Sequence, residues 1–179
     1  MKKIIVIVLI LITLTGCNKL MNTPTKKVEA MLNNYVTLNK DVLDDLDNTL
    51  LSETIMTSEQ KEHYKKILKR QYQNMSYEIK NETIDGKTAV VEVEIKVYDY
   101  YKVNQESENY FNNNQNEFKM EDGTIDITKY NEYKLNALDK ANDRVTYTLN
   151  LTLSQDNGNF VLDDLTDTEI SKIHGLYAY

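Results

Sequence analysis

Two periods divide the chain. Val28, Met31, Leu32, Tyr35, Leu38, Val42, Leu46 and Leu50 recur at three- and four-residue steps, the period of one buried helical face, and predict a long amphipathic helix. It starts at Thr23-Pro24, with Thr as N-cap and Pro at the first helical position, where its missing N–H costs nothing. Thr57-Ser58-Glu59-Gln60 fits a capping box, and a second helix follows with Tyr64, Ile67, Leu68, Gln71 or Tyr72, and Met75 as its buried stripe. Lys61, Lys65, Lys66, Lys69 and Arg70 make its other side basic. From Tyr77 the period drops to two. Tyr77 and Ile79 alternate with Glu78 and Lys80, Asp85-Gly86 marks a hairpin turn, and Ala89, Val91, Val93, Ile95 and Val97 alternate with Val90, Glu92, Glu94 and Lys96. The alternation can be followed to Val103, a length at which strands bend or bulge.

Asn104 to Gly123 breaks both periods. It is polar, acidic and asparagine-rich, with Tyr110, Phe111, Phe118 and Met120 to bury, and it reads as a loop or loosely packed helix, the most mobile part of the domain. Ile127, Tyr130, Lys134, Leu138 and Ala141 trace a third helix that ends at Asn142-Asp143. Val145, Tyr147, Leu149, Leu151 and Leu153 then alternate with Thr146, Thr148, Asn150, Thr152 and Ser154, and Asp156-Asn157-Gly158-Asn159 turns the chain into a strand over 159–165. Thr166-Asp167-Thr168-Glu169 is another capping box, and Gly175 stands where a C′ residue ends a short helix.

These elements predict one α+β domain over residues 24–179, a curved antiparallel sheet packed against N-terminal helices, with a polar insertion at 104–123. Their order resembles the nuclear-transport-factor-two-like (cystatin-like cone) fold over about residues 24–170. The nearest local likeness is Asn157-Gly158-Asn159-Phe160-Val161-Leu162-Asp163-Asp164-Leu165, which is similar to the terminal strand of many secreted members, although many carry Trp where this chain has Phe160. The resemblance implies a cone-like domain with an interior pocket, used by some members for catalysis and by many others for binding or assembly.

The amino terminus has a separate logic. Lys2 and Lys3, the apolar run Ile4 to Ile12 and the small residues before Cys17 have the layout of a secretory signal. Thr13, Thr15 and Gly16 interrupt the run before the roughly 20 apolar residues that a bilayer-spanning helix needs. Leu14-Thr15-Gly16-Cys17, which places the chain's only cysteine directly after the small residues, resembles the bacterial lipobox. That resemblance implies removal of residues 1–16, a diacylglycerol on the Cys17 thiol, and a tether of residues 17–23 holding the domain at the outer face of the membrane. Two acyl chains suffice for a stable anchor. With Cys17 lipidated no thiol remains for disulfides, catalysis or metal binding.

Charge narrows the partners. The 28 Asp and Glu outnumber the 21 Lys and Arg, for a net charge of −7, and the leader takes two lysines with it. Nucleic acid is not an expected partner, because phosphate binding needs a basic surface; anionic headgroups are repelled, which leaves the tether to hold the membrane. Richness in Lys, Asn, Ile and Tyr suggests an AT-rich genome and a Gram-positive host. Asp41, Asp44, Asp45 and Asp47 keep the helical period of Val42, Leu43 and Leu46 and lack a calcium loop's alternate ligands. They read as a solvated helix face, with Asp41 as an alternative cap after a break near Asn39.

Conventional catalytic signatures give little. His63 and His174 are isolated, no glycine-rich phosphate loop or nucleophile elbow is present, and no metal or cofactor is expected. Asp99 and Tyr101 continue the buried row of Val91 to Val97, and Tyr147 lies in the apolar row of the second hairpin. A carboxylate in an apolar pocket can act as general base with a tyrosine as hydrogen-bond donor, and isomerases of the resembled fold use such a pair. The opposing reading has a bulge before Asp99 turn it to water, with the Tyr147 hydroxyl at the rim. The expectation is a non-enzymatic domain binding an unknown protein or small molecule through the cone mouth or residues 104–123. The alternative is a small pocket enzyme, an isomerase, lyase or hydrolase, using Asp99 with Tyr101 or Tyr147.

Overall fold

Two helices, α1 (Pro24–Val36) and α2 (Lys40–Ser52), stand where the apolar period predicts one. A computed structural model describes residues 22–179. The break falls at Leu38, whose φ is +52°, and Asn39 caps α2 by accepting the Val42 N–H at 3.0 Å. Asn39, not Asp41, is therefore the cap; Leu38 still packs against the core, so the apolar step runs through the break unaltered. Asp41, Asp44, Asp45 and Asp47 are exposed on α2, and Asp47 pairs with Lys65. Helix α3 (Ser58–Gln73) opens with both arms of its capping box in place.

The sheet consists of β1 (Ser76–Asp85), β2 (Thr88–Tyr98), β3 (Arg144–Asp156) and β4 (Asn159–Leu162), in that order and antiparallel throughout. It is curved and unclosed, with N-terminal helices packed on it. The β3–β4 turn uses Asn157 and Gly158, both at positive φ (48° and 83°), the backbone that matches a two-residue loop to strand twist. The one register shift lies in β1, between Ile79 and Asn81, and not before Asp99. Past it β1 is exposed, as befits an edge strand.

Strand β2 ends at Tyr98 and does not reach Val103. Asp99 follows as N-cap of α4 (Tyr100–Asn113), accepting the Lys102 N–H at 2.9 Å. A short 3-10 turn, Gln115–Phe118, and α5 (Ile127–Asp139) complete the connection from β2 to β3. Of residues 104–123, read from composition as loop or loose helix, those to Asn113 are thus α-helical and Gln115–Phe118 form the 3-10 turn. The reason is aromatic: buried Phe118 meets the rings of Phe111, Tyr133 and Tyr130 at centroid distances of 5.4, 5.7 and 5.8 Å. Tyr110 also stacks on Tyr133 at 4.8 Å. Each ring brings large apolar area, so a few of them secure a segment that otherwise looks too polar to pack.

The buried rows are those the alternation assigns. Ala89, Val91, Val93, Ile95 and Val97 on β2 face the same side as Tyr147, Leu149, Leu151 and Leu153 on β3, paired as Val91↔Leu151, Val93↔Leu149 and Ile95↔Tyr147. Val28, Leu32, Leu46, Leu50, Leu68 and Tyr72 cover them. Each such side chain contributes about 1.5–3 kcal/mol when fully buried. A second cluster, Ile67, Tyr100, Leu135, Leu138 and Ala141, joins the opposite flank of α3 to α4 and α5. Arg70 belongs to this junction rather than to a solvated basic face. Its guanidinium donates to the carbonyls of Asp139 (2.6 Å) and Ala141 (2.7 Å) and lies 4.2 Å from the Tyr98 ring centroid.

Candidate functional site

The far end of β2 gathers the residues singled out for chemistry. Asp99 continues the buried row and is 5% exposed, so it does not point to solvent. Tyr147, opposite Ile95, reaches the same end, and Tyr101 opens the first turn of α4. What closes over them is the segment after α6 (Asp167–Ile173), which runs across the end of the sheet. The Tyr179 hydroxyl donates to Asp99 Oδ2 at 2.8 Å, and the Tyr147 hydroxyl donates to the Tyr177 carbonyl at 2.8 Å. The Tyr101 and Tyr179 rings meet edge to face at 5.6 Å, as do those of Tyr147 and Tyr177 at 5.9 Å. Burial first, then the charge of Asp99, pushes the Tyr147 hydroxyl up to about 12. At neutral pH it is therefore a hydrogen-bond donor and not a base.

Convergence here goes with consumption. One oxygen of Asp99 caps a helix and the other holds Tyr179, while its own N–H donates to the Asp143 carbonyl at 2.9 Å. A general base needs a lone pair aimed at a substrate proton, and one on each Asp99 oxygen already serves the fold.

The residue that organises this end is Gln71, which the sequence offers merely as one of two stripe positions. It is fully buried. Its carboxamide accepts the Tyr98 N–H at 2.8 Å and donates to the carbonyls of Tyr98 (3.0 Å) and His174 (2.9 Å). Pairing of β1 with β2 stops at Ser76↔Lys96, so the Gln71 side chain treats Tyr98 as the next strand residue would. Gly175 follows at φ +72°, and its carbonyl accepts the Tyr101 N–H at 2.8 Å. A Cβ there would lie 2.1 Å from the Tyr98 oxygen. His174 sits beside it, its Nε2 2.8 Å from the Tyr72 hydroxyl, and burial pulls its pKa down to about 4. The sequence signal for this lock was a glutamine in an apolar stripe and a glycine at C′; nothing in either names the partner.

Grooves occur elsewhere on the helical end. One of about 570 Å³ runs between the start of α3 and α5, past Gln60, His63, Thr128 and Glu132. Another of about 350 Å³ lies between α4 and the end of α5. His63 approaches Asp139 at 3.9 Å. Among the described residues no group of three or more His, Cys, Asp or Glu could hold a metal ion, and no helix is long and apolar enough to cross a membrane.

Cys17 lies outside the described residues. Residues 1–18 match the family model of the prokaryotic membrane lipoprotein lipid attachment site, which supports a bacterial lipoprotein anchored to the membrane through its lipidated cysteine. No curated protein and no solved structure matches the chain, so no relative supports the nuclear-transport-factor-two-like resemblance or a cone-like pocket.

Proposed function

We propose that this lipoprotein is a non-enzymatic binding domain held on the outer face of the membrane by the lipid on Cys17. The observation that carries the reading is the state of Asp99 and Tyr147: both oxygens of the carboxylate and the phenolic proton are engaged within the domain. The position of the tether adds to it. Asn22 bonds to Asn159 in the β3–β4 turn, and Thr25 donates through its backbone N–H (2.8 Å) and its hydroxyl (2.6 Å) to Glu82 near the end of β1. The tether thus enters at the turn end of the sheet, whereas α4 and α5 attach at the other end of β2. An eleven-residue strand spans about 35 Å, and that length carries the helical end, with its grooves, away from the bilayer.

Intact cells test the placement. Protease added outside should digest the domain while a cytoplasmic marker survives; digestion that requires lysis would defeat the outer-face assignment. Tyr179→Phe tests the chemistry, because it releases one Asp99 oxygen. A binding domain should lose a little stability and keep its partner, and a gain or loss of turnover in that variant would favour the pocket-enzyme alternative with Asp99 and Tyr101 or Tyr147.

A further inference from the structure

Beneath the loop that joins α2 to α3, where α3, α4 and α5 meet, the domain leaves a cavity of about 140 Å³. Its apolar floor is Leu135 and Leu138, both buried. Its walls carry four polar groups of complementary kind, Glu53, Tyr64, Asn104 and Lys134. The Asn104 carboxamide oxygen is buried and has no hydrogen-bond partner among the described residues. Glu53 and Lys134 are both half-buried and of opposite sign, yet they form no ion pair within 4.0 Å. Lys134 instead lies 6.0 Å from the centre of the Tyr130 ring. Burial and then the charge of Glu53 push the Tyr64 hydroxyl up to about 12, so the phenol is neutral and near that carboxylate.

A buried acceptor left without a donor costs free energy, and so does holding opposite charges apart in a space that is partly dry. One water needs only about 10–15 Å³, so the cavity is larger than a single bridging water requires. It offers a cation for a carboxylate, and a carboxylate with a carbonyl oxygen for an ammonium group. The phenol can donate or accept beside them, and the leucine floor suits a short aliphatic group. We infer that this cavity binds a small zwitterion, an α-amino acid with a side chain of at most a few carbons. Its carboxylate would meet Lys134, and its ammonium would meet Glu53 and the Asn104 oxygen. The inference rests on the binding reading above and supplies its ligand class.

Saturation-transfer NMR on the mature lipoprotein in detergent micelles, with L-alanine as probe, is the test. Saturable transfer to alanine below about 10 mM is expected, tenfold above a millimolar dissociation constant. Acetate and ethylamine, each carrying half of the charge pattern, should bind at least tenfold more weakly. Asn104→Leu and Lys134→Met should each weaken alanine at least tenfold while melting within a few degrees of the wild type. Because Lys134 is half-exposed, its variant remains informative if Asn104→Leu fails to fold. No saturable transfer, or alanine binding untouched by Lys134→Met, would overturn the site and leave the binding-domain reading standing. Alanine that binds and is chemically converted over hours would uphold the site and overturn the non-enzymatic reading.

Discussion

Replacing Gln71 by Leu keeps most of the side-chain volume and removes the hydrogen bonds through which this side chain ties the end of β2 to the segment after α6. Three bonds are lost, two to Tyr98 and one to the His174 carbonyl, at a residue with no exposed surface. A hydrogen bond contributes about 1 kcal/mol net, and a buried backbone group left unpaired costs about 1–3 kcal/mol. Some of the three groups will recover water as the segment loosens, so the loss should total about 3–5 kcal/mol, a large share of the roughly 5–15 kcal/mol available to a domain. For this size of domain that corresponds to a melting temperature lower by roughly 6–20 °C. Gln71→Glu is the informative companion. It retains an acceptor for the Tyr98 N–H but turns a carboxylate toward two carbonyls, so it should be no better than Leu. Urea unfolding at constant m-value is the assay. A loss below about 1 kcal/mol for Gln71→Leu, or near-wild-type stability for Gln71→Glu, would refute the lock.

Acid should weaken the same end of the domain. His174 binds its proton near pH 4 when folded and near 6.5 when unfolded, so its contribution is complete above about pH 6.5 and is lost as pH falls toward about 4. Between about pH 7 and pH 5 the loss should be about 2 kcal/mol, and His174→Gln should flatten that slope in urea unfolding; an unchanged slope would remove His174 as its cause. Gly175→Ala should cost more than the about 1–2 kcal/mol of a left-handed Cβ alone, because its Cβ meets the Tyr98 oxygen, whereas Gly158→Ala, at φ +83° with nothing within 4 Å, should cost only that backbone amount. Comparable melting temperatures for the two would contradict the close approach. Hydrogen exchange should be slow in α4 around Ser107 and faster in Phe118→Ala, which empties the aromatic cluster; fast exchange in the wild type would restore the loop reading.

Periodicity carried the sheet because a strand with one buried face must alternate, and the rows Val91 to Val97 and Leu149 to Leu153 admit one phase. Caps were legible for a similar local reason: Thr23, Thr57 and Thr166 bond to N–H groups three residues away. The apolar period did not show the break at Leu38, because its side chain keeps contact with the core there; the acids that follow pointed to a break near Asn39 but named Asp41 as the cap. Helix α4 was legible only as one of two readings, loop or loose helix, because its anchors, Phe118, Tyr130 and Tyr133, lie outside it, and composition undervalues a few large rings. The phase of β2 put Asp99 in the buried row, but the competing reading of a bulge that turns it to water was the preferred one. Neither reading reached its role: capping α4 needs the helix that starts beside it, and meeting Tyr179 depends on where the chain goes 80 residues later. The cavity at Asn104 is beyond any reading of period, because its four polar walls come from separate elements.

Anchorage is the claim on which the placement of the whole domain depends, and Cys17 is its single support. Cell fractionation of a Cys17→Ala protein, beside the wild type and with the folded state checked by thermal melting, addresses it most directly. The wild type should remain with the membranes through a high-salt wash, since its acidic surface adds no attraction to anionic lipid. The variant, equally folded, should leave the membrane fraction. A Cys17→Ala protein that stays with the membranes after its leader is cleaved would contradict the account.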